Sequence, residues 1–294
     1  MRNTYHKTLS KLPMKGLDDF FEIIYDKFKE LKLEFYIVGA IARDILFYEI
    51  FEAEIPLRGT SDVDLAISVK NWNEYDMVLK ELIKSGDFEK DRDRQRLKYK
   101  NIITVDIVPY GKIANNKKII EWPPSELSSM MSVSGFKEAY DSAIKLEIKT
   151  GKFIKIASLE GLTILKIIAW QDRKSQKDAQ DLKTLLTSYF NLYIKEIEKI
   201  YDEYSDLIIK VKGDTEKIGI RILGERISLV LQDATDVKAK LIQIIEDELK
   251  KDGDNLAQHM VEFRFELEEE YTKNIDRIKN LLEGIKYKQS NIKI

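Results

Sequence analysis

The first part of the chain joins an amphipathic helical segment to a short apolar run. Apolar residues recur at intervals of three and four between residues 17 and 31, which predicts a helix with one buried face. The apolar run at residues 35–38 predicts a buried strand. Gly39-Ala40 then turns the chain into a second helix, expected over residues 41 to about 51.

Four further segments show clear periodicity before residue 157. They are a strand over residues 61–69, a helix over 72–85, one or two strands within 95–110, and a hairpin over 143–156. If the third segment is two strands, its turn is expected near Lys100-Asn101, and the hairpin is expected to turn at Thr150-Gly151. This half of the chain therefore predicts a sheet flanked by helices.

Strand signals nearly vanish after residue 157, and helical spacing continues to about residue 288. The order of elements predicts an α+β protein, with a mixed α/β first half followed by an all-helical second half. The expected domains are residues 1–157 and residues 158–294.

Composition narrows the chemistry that the chain can perform. Its 294 residues contain no cysteine and two histidines, His6 and His259, which excludes thiolate chemistry and argues against a histidine metal site or a Ser-His-Asp triad. Carboxylates, Lys, Arg and hydroxyls remain. Lys and Arg number 49 against 51 Asp and Glu, so a protein that coats nucleic acid over its whole surface is not expected.

The chain also carries no sign of export or membrane insertion. No apolar run approaches the length of a membrane span, and Lys7, Lys11 and Lys15 interrupt the N-terminal segment where a signal peptide would need an apolar core. We therefore expect a cytoplasmic protein without a membrane partner.

Three aspartates stand out within the predicted strands. Asp62 and Asp64 are separated by a single residue, Val63, so they point to the same face of their strand. Asp106 lies in a second β-branched run. A carboxylate in a buried strand is costly unless it is paired or binds a metal. Three acids that converge from neighbouring strands would suit Mg²⁺, which prefers carboxylate oxygens and substrate phosphates.

The order of these motifs resembles the DNA polymerase β-like nucleotidyltransferase superfamily. Its members carry a strand, a Gly-Gly or Gly-Ser turn into a helix, an Asp-x-Asp or Asp-x-Glu strand, and a third acid. The run Val38-Gly39-Ala40-Ile41-Ala42-Arg43-Asp44 resembles the opening motif of the CCA-adding and poly(A) polymerase branches. Here Ala40 replaces the usual second Gly or Ser, and a backbone amide would have to supply that phosphate contact.

A second motif is similar to that of the AbiEii/MenT-like nucleotidyltransferases, the toxins of type IV toxin–antitoxin and abortive-infection systems. It reads Lys-x-x-Ala-x-x-x-Arg from Lys166 to Arg173 and then Lys-Asp-x-x-Asp-Leu from Lys177 to Leu182. In that family an Arg and a Thr often precede Asp-x-Asp, as Arg58 and Thr60 do here. The resemblance spans about residues 35 to 190 of the sequence.

The resemblance implies a polymerase β-like fold, with a mixed sheet flanked by helices. It also implies transfer of a nucleoside monophosphate from an NTP to a hydroxyl, with release of pyrophosphate. Asp62, Asp64 and Asp106 would hold two Mg²⁺ ions, and Asp106 would also help to activate the hydroxyl. Lys166 would contact the triphosphate. The remaining nucleotide-binding positions are Gly39, Ala40, Arg43, Arg58, Asp178 and Asp181.

Two of these assignments leave a structural alternative open. Arg43 would either contact the nucleotide or form a buried ion pair with Asp44 that fixes its helix. Asp178 and Asp181 would either lie near the nucleotide or anchor Lys166 and Arg173.

The acceptor is expected to be a tRNA 3′ end, and a cognate antitoxin is a possible partner by the same resemblance. A basic segment leads towards Asp106 and would share one face if it were extended; its cations are Arg92, Arg94, Arg96, Lys98 and Lys100. The same pattern is typical of an edge strand that charge protects from aggregation.

Two other functions remain open at this point. One is the same chemistry on a small molecule, as in aminoglycoside nucleotidyltransferases, or on a protein side chain. The other is a non-catalytic interaction protein, against which the joint presence of Asp62, Asp64, Asp106 and Lys166 argues.

Overall fold

The structure is a computed structural model that describes residues 4–6, 9, 12, 14–54, 59, 60, 62–123, 130–149, 151–250, 255–262 and 267–287. The chain divides into two compact units, Met1–Leu162 and Thr163–Ile294. The boundary between the units falls within a helix that begins at Leu159. The sequence analysis placed the domain boundary a few residues earlier, after residue 157.

Unit 1 contains a mixed eight-stranded sheet in the order β1-β9-β10-β2-β3-β6-β5-β4. β3 runs antiparallel to β2 and parallel to β6, and β6 runs antiparallel to β5. A separate two-stranded sheet pairs β7 with β8. The strands are β1 Thr4–His6, β2 Phe35–Val38, β3 Asp62–Ser68, β4 Phe88–Lys90, β5 Arg96–Tyr99, β6 Ile103–Tyr110, β7 Ile119–Glu121, β8 Met130–Ser132, β9 Ile144–Lys149 and β10 Lys152–Ile156.

The helices of unit 1 surround this sheet, which confirms the predicted mixed sheet flanked by helices. They are α1 Leu17–Leu31, α2 Gly39–Asp44, α3 Trp72–Lys84, α4 Phe136–Asp141 and the start of α5 Leu159–Arg173. A π-helical segment, Ile45–Ile50, continues α2, so the predicted second helix is present but changes its winding at Ile45. α3 begins where the side chain of Asn71 accepts a hydrogen bond from the amide of Glu74 at 3.0 Å.

Alternation of side chains explains which face of the sheet is buried. Val63, Leu65 and Ile67 of β3 are fully buried. On the other face of β3, Asp62, Asp64 and Ser68 are partly exposed and Ala66 is buried. On the first, fully buried face the hydroxyl of Tyr75 in α3 donates a hydrogen bond to the carbonyl of Ile107 at 2.8 Å. The opposite face of β3 and β6 therefore carries the polar side chains.

The basic segment and the strand after it form a hairpin, as the sequence allowed. β5 and β6 pair directly, and the turn between them has positive φ angles at Lys100 and Asn101, 47° and 55°. Two successive residues with positive φ are typical of hairpin turns, because their twist matches that of the strands.

Unit 2 contains only helices among its described residues, as predicted. They are the rest of α5, α6 Gln176–Leu192, α7 Ile194–Lys199, a 3₁₀ turn Tyr201–Tyr204, α8 Ser205–Lys210, α9 Thr215–Val230, α10 Thr235–Glu248, α11 Asn255–His259 and α12 Leu267–Lys286. α9 and α12 pack closely because Gly224 and Gly284 face each other, and a Cβ atom at Gly224 would lie 2.8 Å from the Cα of Gly284.

His259, the second histidine of the chain, contacts a buried tryptophan in unit 2. The Nε1 of Trp170 donates a hydrogen bond to the Nδ1 of His259 at 3.1 Å.

Across the described helices of the chain, none combines the length and the apolar character that a membrane span requires.

Candidate active site

The three predicted acids lie on one face of two neighbouring strands. In the parallel pair β3–β6, Asp64 is directly opposite Asp106, and Asp62 is opposite Thr104. Asp62 and Asp64 are two residues apart on β3 and therefore share a face. The structure thus brings together all three carboxylates that the sequence singled out.

The Gly39 turn lies directly against one of these acids. Gly39 has a positive φ of 71°, and a Cβ atom built there would lie 2.8 Å from the carboxylate carbon of Asp64 and closer still to its Oδ2. β2 and β3 pair so that Val38, the residue before the turn, is opposite Asp64. Glycine is therefore required at this position for two reasons, the left-handed backbone and the space that the Asp64 carboxylate occupies.

Asp106 is held by a cation from the neighbouring strand. Arg96 of β5 is directly opposite Asp106, and its guanidinium donates two hydrogen bonds to the carboxylate, from Nε at 2.8 Å and from Nη2 at 2.7 Å. The Asp106 side chain is 16% exposed and that of Arg96 is 32% exposed. The pair is therefore partly shielded from water, and its bidentate geometry is the strongest form of such a contact.

The electrostatic environment of Arg96 reflects this acidic face. Its pKa is raised, mainly by the hydrogen bond to Asp106; desolvation opposes the rise, and the negative charges of Asp106, Asp62 and Asp93 add to it. The negative charge of Asp62 thus acts on Arg96 as well as that of Asp106.

The donor set suits Mg²⁺ in its chemistry, and Asp62 and Asp64 suit it best in their arrangement. Among the described residues, no group of three or more Asp, Glu, His or Cys side chains is arranged to hold a metal ion. Mg²⁺ is usually bound through one or two carboxylates together with substrate phosphates and water, and Asp62 and Asp64 can supply the two carboxylates. Asp106 already accepts two hydrogen bonds from Arg96, so a cation at Asp106 would share that carboxylate with the guanidinium unless the contact changed.

The other predicted nucleotide-binding residues of unit 1 are placed differently. Arg43 and Asp44 form a buried ion pair, with Nε–Oδ1 at 2.8 Å and Nη2–Oδ1 at 2.7 Å, which is the structural alternative stated above. Ala40 lies in the first turn of α2, directly after Gly39. Arg58 lies outside the described residues.

The basic segment is not one extended ribbon. Only Arg96 and Lys98 share a face of β5, because Arg92 and Arg94 precede the strand and Lys100 lies in the turn. Four of the five cations have acidic partners: Arg94 with Asp76 at 2.7 Å, Arg96 with Asp106 at 2.7 Å, Lys98 with Asp91 at 3.9 Å and Lys100 with Asp87 at 3.6 Å.

The second motif forms a cluster of charges within unit 2. Lys166 Nζ lies 3.1 Å from Asp178 Oδ1 and 2.6 Å from Asp181 Oδ2, and Arg173 donates two hydrogen bonds to Asp178, at 2.6 and 2.8 Å. Both aspartates are buried, and Arg173 is 63% exposed. Asp178 and Asp181 therefore anchor the two cations, which is the second of the roles that the sequence left open.

These contacts determine the charge state of Asp178. Burial alone would raise its pKa, but the hydrogen bond from Arg173 and the positive charge of Lys166 outweigh burial and lower the pKa from its ordinary value. Asp178 therefore stays ionised at neutral pH although its side chain is almost inaccessible to water.

The sequence interpretation missed that Arg96 belongs to the acidic cluster. It placed Arg96 among five RNA-binding cations, because spacing along one strand says nothing about the strand beside it. The signal that could have found the pair was the turn at Lys100-Asn101, which folds Arg96 back beside Asp106.

Comparison with known proteins finds no matching family model and no matching curated protein. Solved structures with partial similarity exist. An antigenic nucleotidyltransferase-like protein from Paracoccidioides brasiliensis has a TM-score of 0.38 and 21% identity, over 60% of this chain and 77% of that one. The lincosamide antibiotic adenylyltransferase LnuA, bound to lincomycin, has a TM-score of 0.34 and 18% identity, over 58% and 96%.

A third structure, the CCA-adding enzyme in complex with CTP, has a TM-score of 0.31 and 14% identity, over 91% of this chain and 68% of that one. The TM-scores are at or below 0.38 and the identities at or below 21%, so the chemistry of this chain is argued from its own residues and not from these likenesses.

Proposed function

We propose that the chain is a Mg²⁺-dependent nucleotidyltransferase with a polymerase β-like catalytic unit. One observation carries the proposal: Asp62, Asp64 and Asp106 lie on one face of β3 and β6, with Asp64 seated against the Gly39 turn. A turn whose glycine faces a carboxylate brings backbone amides and the start of α2 next to an acidic pair. Triphosphate and metal would meet at such a place.

In the proposed reaction the oxygen of an acceptor hydroxyl bonds to the α-phosphorus of the NTP. The bond from the α-phosphorus to the bridging oxygen breaks, pyrophosphate leaves, and the hydroxyl gives its proton to Asp106. Asp62 and Asp64 would hold the cation that accompanies the triphosphate, and Gly39 leaves the space that the Asp64 carboxylate occupies. When bound, the divalent cation would polarise the phosphoryl oxygens and stabilise the developing charge.

For the acceptor we propose a tRNA 3′ end, and for the biological role a toxin of a type IV-like toxin–antitoxin system. Both rest on the resemblance of the Asp-x-Asp and Lys166–Leu182 motifs, and Lys166 is proposed to contact the triphosphate on the same basis. A small-molecule hydroxyl is the second candidate acceptor. The ion pairs that occupy Arg94, Arg96, Lys98 and Lys100 favour it, because they leave less positive charge for an RNA backbone.

The test is transfer of label from each α-³²P-labelled NTP, with Mg²⁺, to total tRNA or to a panel of aminoglycosides and lincosamides. Wild-type protein is compared with the Asp62→Asn/Asp64→Asn variant and with Glu121→Gln, which removes an exposed carboxylate from the separate β7–β8 sheet. We expect labelled product with wild type and Glu121→Gln and none with the double variant.

The outcomes separate the parts of the proposal. Labelled tRNA supports the first acceptor, and labelled small molecule supports the second. If no acceptor is labelled, the melting temperature is measured with Mg²⁺ and each NTP, because a ligand that binds only the folded chain must raise it. Absence of both transfer and any shift that depends on Asp62 and Asp64 would overturn the proposal.

A further inference from the structure

The Arg96–Asp106 pair occupies the carboxylate to which the proposed function assigns the proton of the acceptor hydroxyl, and which the resemblance also assigns to a cation. Both carboxylate oxygens of Asp106 accept a hydrogen bond from one guanidinium, at 2.7 and 2.8 Å. A divalent cation ligated by Asp106 would compete with the guanidinium for lone pairs of those oxygens. It would also lie within a few ångströms of a fixed positive charge, and like charges repel strongly at that range when water is partly excluded.

The position of Arg96 is set by the backbone and not by a flexible loop. It is the first residue of β5, it pairs with Asp106 in the ladder, and the hairpin holds the two strands in register. Lys98, two residues further on, shares the face and is opposite Thr104, so the same face carries a second cation that does not touch Asp106. Arg96 and Lys98 therefore carry the same charge on the same strand, and they differ in that Arg96 contacts Asp106 and Lys98 does not.

We propose that Arg96 is an internal counter-ion that occupies Asp106 in the metal-free protein and competes with the divalent cation for it. This inference rests on the proposed function. Arg96 takes two of the lone pairs of the Asp106 carboxylate, so Asp106 binds a metal ion more tightly when the guanidinium gives way. Arg96 is a positioning residue, since it acts on the site through Asp106 and sets how tightly the cation binds.

The test measures binding of Mn²⁺ alone to the full chain, by the electron paramagnetic resonance signal of free Mn²⁺. Arg96→Met should lower the Kd by about tenfold, which corresponds to about 1.4 kcal/mol. Lys98→Met is the matched control, because it removes one positive charge from the same face of the same strand. Lys98→Met should change the Kd less than about threefold, because Lys98 repels the cation only from a distance and does not contact Asp106.

A double-mutant cycle isolates the contact. In the Asp106→Asn background, Arg96→Met should no longer change Mn²⁺ affinity, because the carboxylate for which the two cations compete is gone. Arg96→Lys keeps the positive charge but loses the two parallel hydrogen bonds of the guanidinium, so it should give an intermediate Kd. This variant also provides the test if Arg96→Met does not fold. In EDTA the melting temperature of Arg96→Met should lie below that of wild type, and Mn²⁺ should raise it more.

The result that overturns the inference is an equal change for Arg96→Met and Lys98→Met, no change for either, or an Arg96→Met effect that survives in Asp106→Asn. The Asp62→Asn/Asp64→Asn variant separates this failure from that of the proposed function. If wild-type Mn²⁺ binding is unaffected by that double substitution, the proposed function fails whatever Arg96 does. If neither wild type nor Arg96→Met binds Mn²⁺, both are overturned.

Discussion

The carboxylate of Asp64 fills the space that any side chain at Gly39 would need. The carboxylate carbon lies 2.8 Å from the position of a Cβ atom on residue 39, and the backbone there is left-handed, with a φ of 71°. The turn between β2 and α2 and the acidic pair of β3 are therefore one structural unit, and neither can change without the other.

Gly39→Ala should reduce both stability and metal binding. The left-handed backbone costs a non-glycine residue about 1–2 kcal/mol, and the new Cβ must displace the Asp64 carboxylate. Gly86→Ala is the matched control, because Gly86 has a φ of 85° and no atom within 4 Å of its Cβ position. Urea unfolding should show a loss of free energy in both variants, and Mn²⁺ affinity should fall only in Gly39→Ala. Equal Mn²⁺ affinities in the two would contradict this account.

Lys166→Met should destabilise the chain far more than Arg173→Met. Lys166 is largely buried and contacts two buried aspartates, so its removal leaves buried negative charge and should cost about 3 kcal/mol. Arg173 is 63% exposed, and Asp178 keeps its contact with Lys166 when Arg173 is removed, so this loss should cost about 1 kcal/mol. Denaturant unfolding measures both values.

The same two variants test the proposed nucleotide role of Lys166. If Lys166 contacts the triphosphate, the rise in melting temperature with Mg²⁺ and an NTP should be lost in Lys166→Met and kept in Arg173→Met. An equal rise in both variants would assign Lys166 to stability alone.

Local patterns were enough to predict the face on which the acids lie. The alternation of β3 puts Asp62 and Asp64 on one side, and an acid in the apolar β6 run could be stable only on a polar face. The α/β first half and the helical second half followed from the same periodicities, whereas the mixed sheet was implied by the family resemblance; the structure confirms all three.

Contacts between distant residues could not be predicted in this way. Whether Arg96 meets RNA or Asp106 depends on the pairing of β5 with β6, which is set by the hairpin turn and not by the spacing of the cations. The Asp64–Gly39 contact depends in the same way on the pairing of β2 with β3. In both cases the sequence singled out the individual residues, and only the ladder register showed which of them touch.

Asp178 should make the stability of the chain depend on acid. Its pKa is lowered in the folded protein from an ordinary value of 3.8, so between the two values the unfolded chain binds the proton and the folded chain does not. The resulting stabilisation is complete above the ordinary value and is lost as the pH falls through the lower, folded-state value.

Urea unfolding at pH 7, 5, 4 and 3 tests this dependence on wild type, Asp178→Asn and Asp172→Asn. Asp172 is an exposed aspartate of α5 and serves as the control. Asp178→Asn should be less stable than wild type at pH 7 but should lose less free energy of unfolding between pH 5 and pH 3. The Asp172→Asn variant should follow wild type. Parallel curves for wild type and Asp178→Asn would show that the Asp178 carboxylate does not contribute.

The cations of the basic segment should separate into those that stabilise the fold and those that bind RNA. Arg94 donates two hydrogen bonds to Asp76, at 2.7 and 2.9 Å, and its guanidinium lies 5.4 Å from the centre of the Trp72 ring. Arg92 is exposed and has no ion-pair partner among the described residues, and the Lys98–Asp91 pair is long, at 3.9 Å. Arg94 is therefore held by contacts within the protein. Arg92 can contact a phosphate backbone directly, and Lys98 can do so if its long pair with Asp91 opens.

If tRNA is the acceptor, Arg92→Gln and Lys98→Gln should each weaken its binding and reduce the slope of log K against log salt by about 1, because each would remove one phosphate contact. Arg94→Gln should leave that slope unchanged and lower the free energy of unfolding by about 1 kcal/mol. Fluorescence anisotropy of labelled tRNA between about 50 and 200 mM salt measures the slopes. Over this range the affinity is expected to change by about tenfold or more. A slope that none of the three variants changes would remove the basic segment from the RNA interface and favour the small-molecule acceptor.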